Sequence, residues 1–157
     1  MLCSSLLFTN CKKSSSPTPT TPTTVKITSV KITGLPFTNS SCSCTWDFST
    51  GPDVYFVITD NVGTVLKTSS ILSNVSPSSL PMTYNFTTPF QTNNFYSTYY
   101  IWVYDNDTLD SPSNPDDTMG GYYFTFSDFI SSSTYPTTTT LQNPTSSLSI
   151  DLTLQWQ

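Results

Sequence analysis

Residues 147–156, SLSIDLTLQW, set Leu148, Ile150, Leu152, Leu154 and Trp156 two apart, with Ser149, Asp151, Thr153 and Gln155 between them. Successive side chains of a strand point to opposite faces, so this alternation describes a β-strand with one face in a core and one in water. Ahead of this stretch, runs rich in Val, Ile, Thr, Tyr and Phe recur at Val25 to Thr33, Val54 to Thr59, Thr64 to Ser69, Met82 to Thr87, Thr98 to Tyr104 and Gly121 to Phe126, with weaker candidates between them. Asp60-Asn61-Val62-Gly63 reads as the turn of a hairpin between two of these strands. Composition agrees: 55 of the 157 residues are Ser or Thr, and Ala, Glu and Arg are absent, so the good helix formers are scarce. Seven or eight antiparallel strands over residues 25–157 predict an all-β fold, an antiparallel eight-stranded β-sandwich.

Ahead of that domain the composition changes. Residues 14–24, SSSPTPTTPTT, alternate prolines with hydroxyls and cannot bury a core; they suit an extended spacer of roughly 30 Å at about 3.1 Å per residue. Residues 1–10, MLCSSLLFTN, are a short apolar stretch leading to Cys11, and they resemble the end of a bacterial lipoprotein signal, with Asn10 where a small residue is usual. That resemblance implies removal of residues 1–10, lipidation of Cys11, and a cell-envelope location, anchored at the outer membrane. The expected organisation is a signal over 1–10, a lipidated cysteine and linker over 11–24, and a domain over 25–157. No apolar span is long enough for a transmembrane helix.

The absence of His and Glu removes the commonest general acids and bases, the imidazole zinc ligands and any Ser-His-Asp arrangement, so no enzyme activity is expected. Five lysines, no arginine and a net charge of −5 make nucleic acid a poor partner. Cys42 and Cys44 lack the further ligands of a soft-metal site, and are read as a free or oxidised pair without a catalytic role.

Chemistry concentrates in the aspartates, five of the ten lying between Asp105 and Asp117. Asp47 and Asp53 flank a Gly51-Pro52 turn that leads into a strand. Asp105 and Asp107 end another strand, and Asp117 follows a loop. If these strand ends meet at one edge of the sandwich, the carboxylates repel one another unless a hard divalent cation neutralises them, and calcium, with six to eight oxygen ligands, fits best. Asp110 and Asp116, taken alone, read as solvated turn residues.

Several segments resemble a known family. Gly51-Pro52-Asp53-Val54-Tyr55 is similar to the first calcium loop of C2 domains, Val103-Tyr104-Asp105-Asn106-Asp107 to their Val-x-Asp-x-Asp third loop, and Asp117-Thr118-Met119-Gly120 to its closing Asp-x-Ile-Gly. Leu66-Lys67-Thr68 and Leu80-Pro81-Met82-Thr83-Tyr84-Asn85-Phe86 match two intervening segments. The likeness runs from about Val30 to Gly120; Pro52-Asp53 inverts the usual order, and the third loop is long. It implies a C2-like sandwich, with the final strand placed as in the permuted topology, and a calcium site formed by Asp47, Asp53, Asp105, Asp107 and Asp117.

C2 domains commonly bridge calcium to lipid phosphate. The expected partner is therefore membrane phospholipid or a phosphorylated glycolipid, with Phe48 and Leu109, between the ligands, placed to insert at a bilayer. Only Lys26, Lys31 and Lys67 lie in the domain, so calcium would supply nearly all of the attraction. Two alternatives stand beside this one. The first is an adhesion or glycan-binding module using tyrosines such as Tyr99, Tyr100, Tyr122 and Tyr123 as stacking platforms. The second is a structural envelope protein with a protein partner, stiffened by calcium.

Overall fold

The structure, a computed structural model, describes residues 21–39, 42–47, 49–107 and 116–157. Eight strands follow in chain order: β1 (Val25–Gly34), β2 (Val54–Asp60), β3 (Val65–Thr68), β4 (Met82–Thr92), β5 (Tyr99–Asp105), β6 (Asp117–Phe124), β7 (Thr138–Gln142) and β8 (Ser149–Trp156). They form two antiparallel four-stranded sheets, in the order β4-β1-β8-β7 and β3-β2-β5-β6. The all-β sandwich expected from the alternation is the observed architecture.

The core lies between the sheets and is built by the inward half of each strand. In β8, Ile150, Leu152 and Leu154 are buried, as is Leu148 just before it. Trp156 closes the row, its indole N–H donating to the Pro136 carbonyl and its ring meeting Phe95, Phe126 and Tyr135. Fully burying each of these leucine and isoleucine side chains is worth roughly 1.5–3 kcal/mol.

β1 shows why alternation can slip phase and still serve one core. Val25 and Ile27 are buried, and so are Val30 and Ile32, although Ile27 and Val30 are three apart. A register irregularity between Ile27 and Ser29, on both neighbouring strands, absorbs the extra residue.

Three strands differ from the sequence reading, one of them β6, which begins at Asp117 and ends at Phe124 rather than running from Gly121 to Phe126. β4 runs on to Thr92, beyond the expected Thr87, and contains Pro89. Its ladder with β1 passes from Ile27↔Phe90 to Ser29↔Asn85, so Pro89 falls in an unladdered stretch of an edge strand, where no N–H is required. β7 has one buried residue, Leu141, and as an edge strand it carries little alternation to read.

The expected hairpin joins β2 to β3, with Gly63 at φ 86° supplying the left-handed turn position and its N–H donating to the Asp60 carbonyl at 3.2 Å. This turn sits at one end of the second sheet. The antiparallel pairing Val54↔Asp105 and Asp60↔Tyr99 puts the start of β2 and the end of β5 together at the opposite end.

Candidate metal centre

At that opposite end, the β2–β5 pairing continues past the strands. The Asp53 N–H donates to Asp105 Oδ1 at 2.7 Å, and the Asn106 N–H donates to the Asp53 carbonyl at 2.9 Å. Asp105 follows Ile101 and Val103 on the inward side of β5 and is 1% exposed. A carboxylate therefore occupies a position that alternation assigns to the core.

The loop that delivers Asp47 is braced on three sides. Cys42 and Cys44 are joined by a disulfide, resolving the pair as oxidised. The Asn39 N–H donates to the Cys44 carbonyl at 2.9 Å, and the Trp46 indole to the Pro36 carbonyl at 2.7 Å. Nearer the carboxylate, the Thr45 hydroxyl donates to the Asp47 carbonyl at 2.7 Å, and the Thr50 hydroxyl to Asp47 Oδ2 at 3.4 Å. Gly51 then passes so close to residues 74 and 75 that a Cβ would lie 2.0 Å from the Val75 carbonyl oxygen. Only glycine allows the loop to enter β2 there.

These constraints bring Asp47, Asp105 and Asp107 together: each offers one carboxylate oxygen, and the three lie within 4.8 Å of one another. All are 8% exposed or less. Asp105 Oδ2 is buried and has no hydrogen-bond donor among the described residues. Burial pushes the Asp105 carboxyl up to about 7, against the lowering effect of the Asp53 N–H; repulsion from Asp47, Asp107 and Asp53 adds to the rise. A cluster of this kind favours protonation or a bound cation.

The remaining sequence candidates are placed differently. Asp53 is buried beside Asp105, but its Oδ1 accepts the Asn74 N–H at 2.7 Å, so its carboxylate holds the 72–75 loop against the start of β2. Asp117 stands opposite Asp105 in the β5–β6 ladder and is exposed, and its carboxylate is outside the group of three. Phe48, Leu109, Asp110 and Cys11 lie outside the described residues.

Asp116, expected as a solvated turn residue, is instead engaged. Its Oδ2 accepts the Tyr55 hydroxyl at 2.6 Å, and Asn106 Nδ2 reaches both carboxylate oxygens at 3.1 and 3.2 Å. Desolvation first, and then this bond to Asp116, raise the Tyr55 phenol above its ordinary range. Asn106, next to Asp107, is therefore braced against Asp116, and Asp116 against Tyr55 of β2. The one sequence signal for this pairing is the run of polar residues next to the Val-x-Asp-x-Asp segment, which names no partner.

No family model matches the chain, and no curated protein matches it. Solved structures do. One described as a C2 domain superposes with a TM-score of 0.50 at 14% identity, covering 85% of this chain and 96% of that one. Human GIVD cytosolic phospholipase A2 gives 0.54 at 15% identity, over 85% of this chain and 16% of that one. A structure holding two C2 domains of extended-synaptotagmin 2 gives 0.55 at 12% identity, over 98% of this chain and 48% of that one. The chain thus spans about a sixth of the phospholipase chain and about half of the synaptotagmin chain. The fold is C2-like, and the end that carries the three aspartates could hold a metal ion.

Proposed function

We propose that this chain is a calcium-binding C2-like domain of a cell-envelope lipoprotein, without enzyme activity, whose ion-loaded loops bind a phosphate-bearing membrane surface. The observation that carries the reading is the Asp105 carboxylate: 1% exposed, with Oδ2 lacking a donor among the described residues, and flanked by Asp47 and Asp107. A hard cation relieves both the desolvation and the repulsion. Calcium takes six to eight oxygens, so three carboxylates leave positions that a phosphate oxygen fills.

The oxygen-only donor set favours calcium over softer metals, which take sulfur or imidazole. Cys11 would anchor the chain and residues 14–24 would hold the domain within roughly 30 Å of the surface, where head groups are at high effective concentration and weak intrinsic affinity suffices. The absence of His and Glu supports a binding role over a catalytic one.

The test is calorimetric calcium titration, followed by cosedimentation with phosphatidylserine-containing vesicles in calcium and in chelator. Calcium-dependent pelleting is the expected result. Calcium binding without pelleting would leave a calcium-stiffened structural role, and no calcium binding would overturn the reading. Release of a Cys11→Ser variant from the membrane fraction tests the anchor separately.

A further inference from the structure

Away from the aspartates, the outward side of the second sheet is aromatic. Alternation along β2, β5 and β6 turns Tyr55, Tyr100, Trp102, Tyr104 and Tyr123 away from the core. Tyr100 and Trp102 are parallel, with 2° between their planes and 6.1 Å between centroids. Tyr123 is 75% exposed and 6.4 Å from Tyr100, and Tyr55 stacks on Tyr104 at 5.4 Å. Tyr99 and Tyr122, read from sequence as platform candidates with these, do not contribute ring faces here: Tyr99 is buried among Phe90, Phe124 and Phe126, and the Tyr122 hydroxyl donates inward to the Leu148 carbonyl.

Gly121 makes room for the Trp102 indole. It stands opposite Trp102 in the ladder, and a Cβ there would lie 2.5 Å from indole Cε3 and 3.0 Å from Cδ2. The indole therefore lies over β6 in the space a side chain would fill. The other outward positions between these rings are Val57, Thr59 and Thr118, none of them charged.

A cleft of about 560 Å³ opens beside the platform, between β6 and the β7–β8 loop, within the size range of small-ligand sites. Its lining includes Gly121, Tyr123, Gln142, Asn143 and Ser146, again without a charged side chain. Asn143 Oδ1 accepts from the Thr145 N–H at 3.1 Å and the Thr145 hydroxyl at 2.9 Å, which orients the amide with its nitrogen as the end left to donate.

We propose that this platform and cleft bind a neutral, hydroxyl-rich polysaccharide. Pyranose rings present flat C–H faces that pack on Trp102, Tyr100 and Tyr123, while their hydroxyls exchange hydrogen bonds with the Gln142 and Asn143 amides. Charge complementarity selects this class: around Tyr100, Trp102 and Tyr123 no described residue offers a cation to an acidic polymer, the carboxylate at the Tyr55 end, Asp116, is already engaged by Tyr55 and Asn106, and an uncharged polyol brings no ionic group to desolvate. The site is separate from the aspartate cluster and does not depend on the calcium reading.

The test is titration of the full chain, in chelator, with cellohexaose, laminarihexaose, mannohexaose and xylohexaose, followed by tryptophan emission and calorimetry. At least one hexaose is expected to bind, and Trp102→Ala or Tyr123→Ala to weaken it about tenfold or more. Gly121→Val, which displaces the indole, should act in the same direction. Tyr123→Ala removes an exposed ring and should leave the melting temperature unchanged, so its effect reads on binding alone. Absence of binding to all four hexaoses at millimolar concentration overturns the proposal, as does binding that both alanine variants leave intact. Self-association abolished by Tyr123→Lys would also overturn it, by identifying the face as a protein interface.

Discussion

Asp60 and Asp105 end paired strands, β2 and β5, at opposite ends of one sheet, and their carboxylates meet opposite fates. Asp60 Oδ1 accepts the Val62 N–H at 3.0 Å and the Thr64 N–H at 2.8 Å within the hairpin; desolvation raises its pKa, and the turn's hydrogen bonds together outweigh that and lower it. Asp105 receives one N–H, from Asp53, is 1% exposed, and is pushed up to about 7. One aspartate is complete within its own turn, and the other is short of positive charge. Residue type and strand position are the same in both, so the surrounding backbone donors and neighbouring carboxylates make the difference.

Removing each charge in turn separates the two aspartates by the largest effect. Calcium at one hundred times its dissociation constant should stabilise the wild type by about 2.7 kcal/mol. Asp105→Asn should abolish most of that gain, and Asp60→Asn should leave it intact while lowering stability equally with and without calcium. Thermal unfolding in calcium and in chelator measures both. An Asp105→Asn variant that keeps the full calcium response would sink the contrast.

Acidity separates the two next. The folded-state pKa of Asp105 lies above its unfolded value of about 3.9, so the folded chain holds the extra proton between these values, and calcium-free stability should fall as pH rises from about 4 to about 7. Asp60 has the opposite sign: its lowered pKa contributes stability above the unfolded value, which is lost as pH falls through the folded one. Denaturant unfolding in chelator at a series of pH values should show Asp105→Asn flattening the neutral limb and Asp60→Asn the acid limb.

A smaller effect is expected at the brace. Tyr55→Phe deletes the hydroxyl bond to Asp116 and should cost about 0.5–1.5 kcal/mol, with a calcium affinity loss below that of Asp105→Asn, read by the same melts and by calorimetry. The smallest effect belongs to Asp151, whose carboxylate accepts the Thr140 hydroxyl at 2.7 Å on β8, in the other sheet. Asp151→Asn should leave the calcium response unchanged, and a loss there would mean that bulk charge rather than the cluster drives it.

The strands were the most legible part of the chain. Leu148 to Trp156 could face a core in only one way, and Gly63 marked its own turn. β7 and the end of β4 were less so, because edge strands bury few side chains and leave little alternation. Asp105 and Asp107 stood out by spacing alone, whereas the hydrogen bonds to Asp116 come from Tyr55 and Asn106, residues whose partner no local pattern names.

Sequence by itself determined the all-β class, the two-apart inward rows and the supply of carboxylates, since these follow from side-chain periodicity and residue chemistry along one strand at a time. Tertiary structure decided which carboxylates meet. Antiparallel pairing of β2 with β5 carries Asp53 to Asp105 across 52 positions, the braced loop adds Asp47, and Asp117, adjacent in the ladder, is turned to solvent. It likewise decided that Trp102 lies over Gly121, because a glycine registers opposite an indole only when two separate strands pair. Such juxtapositions depend on register and loop path, which are set by burial summed over both sheets rather than by any single stretch of chain.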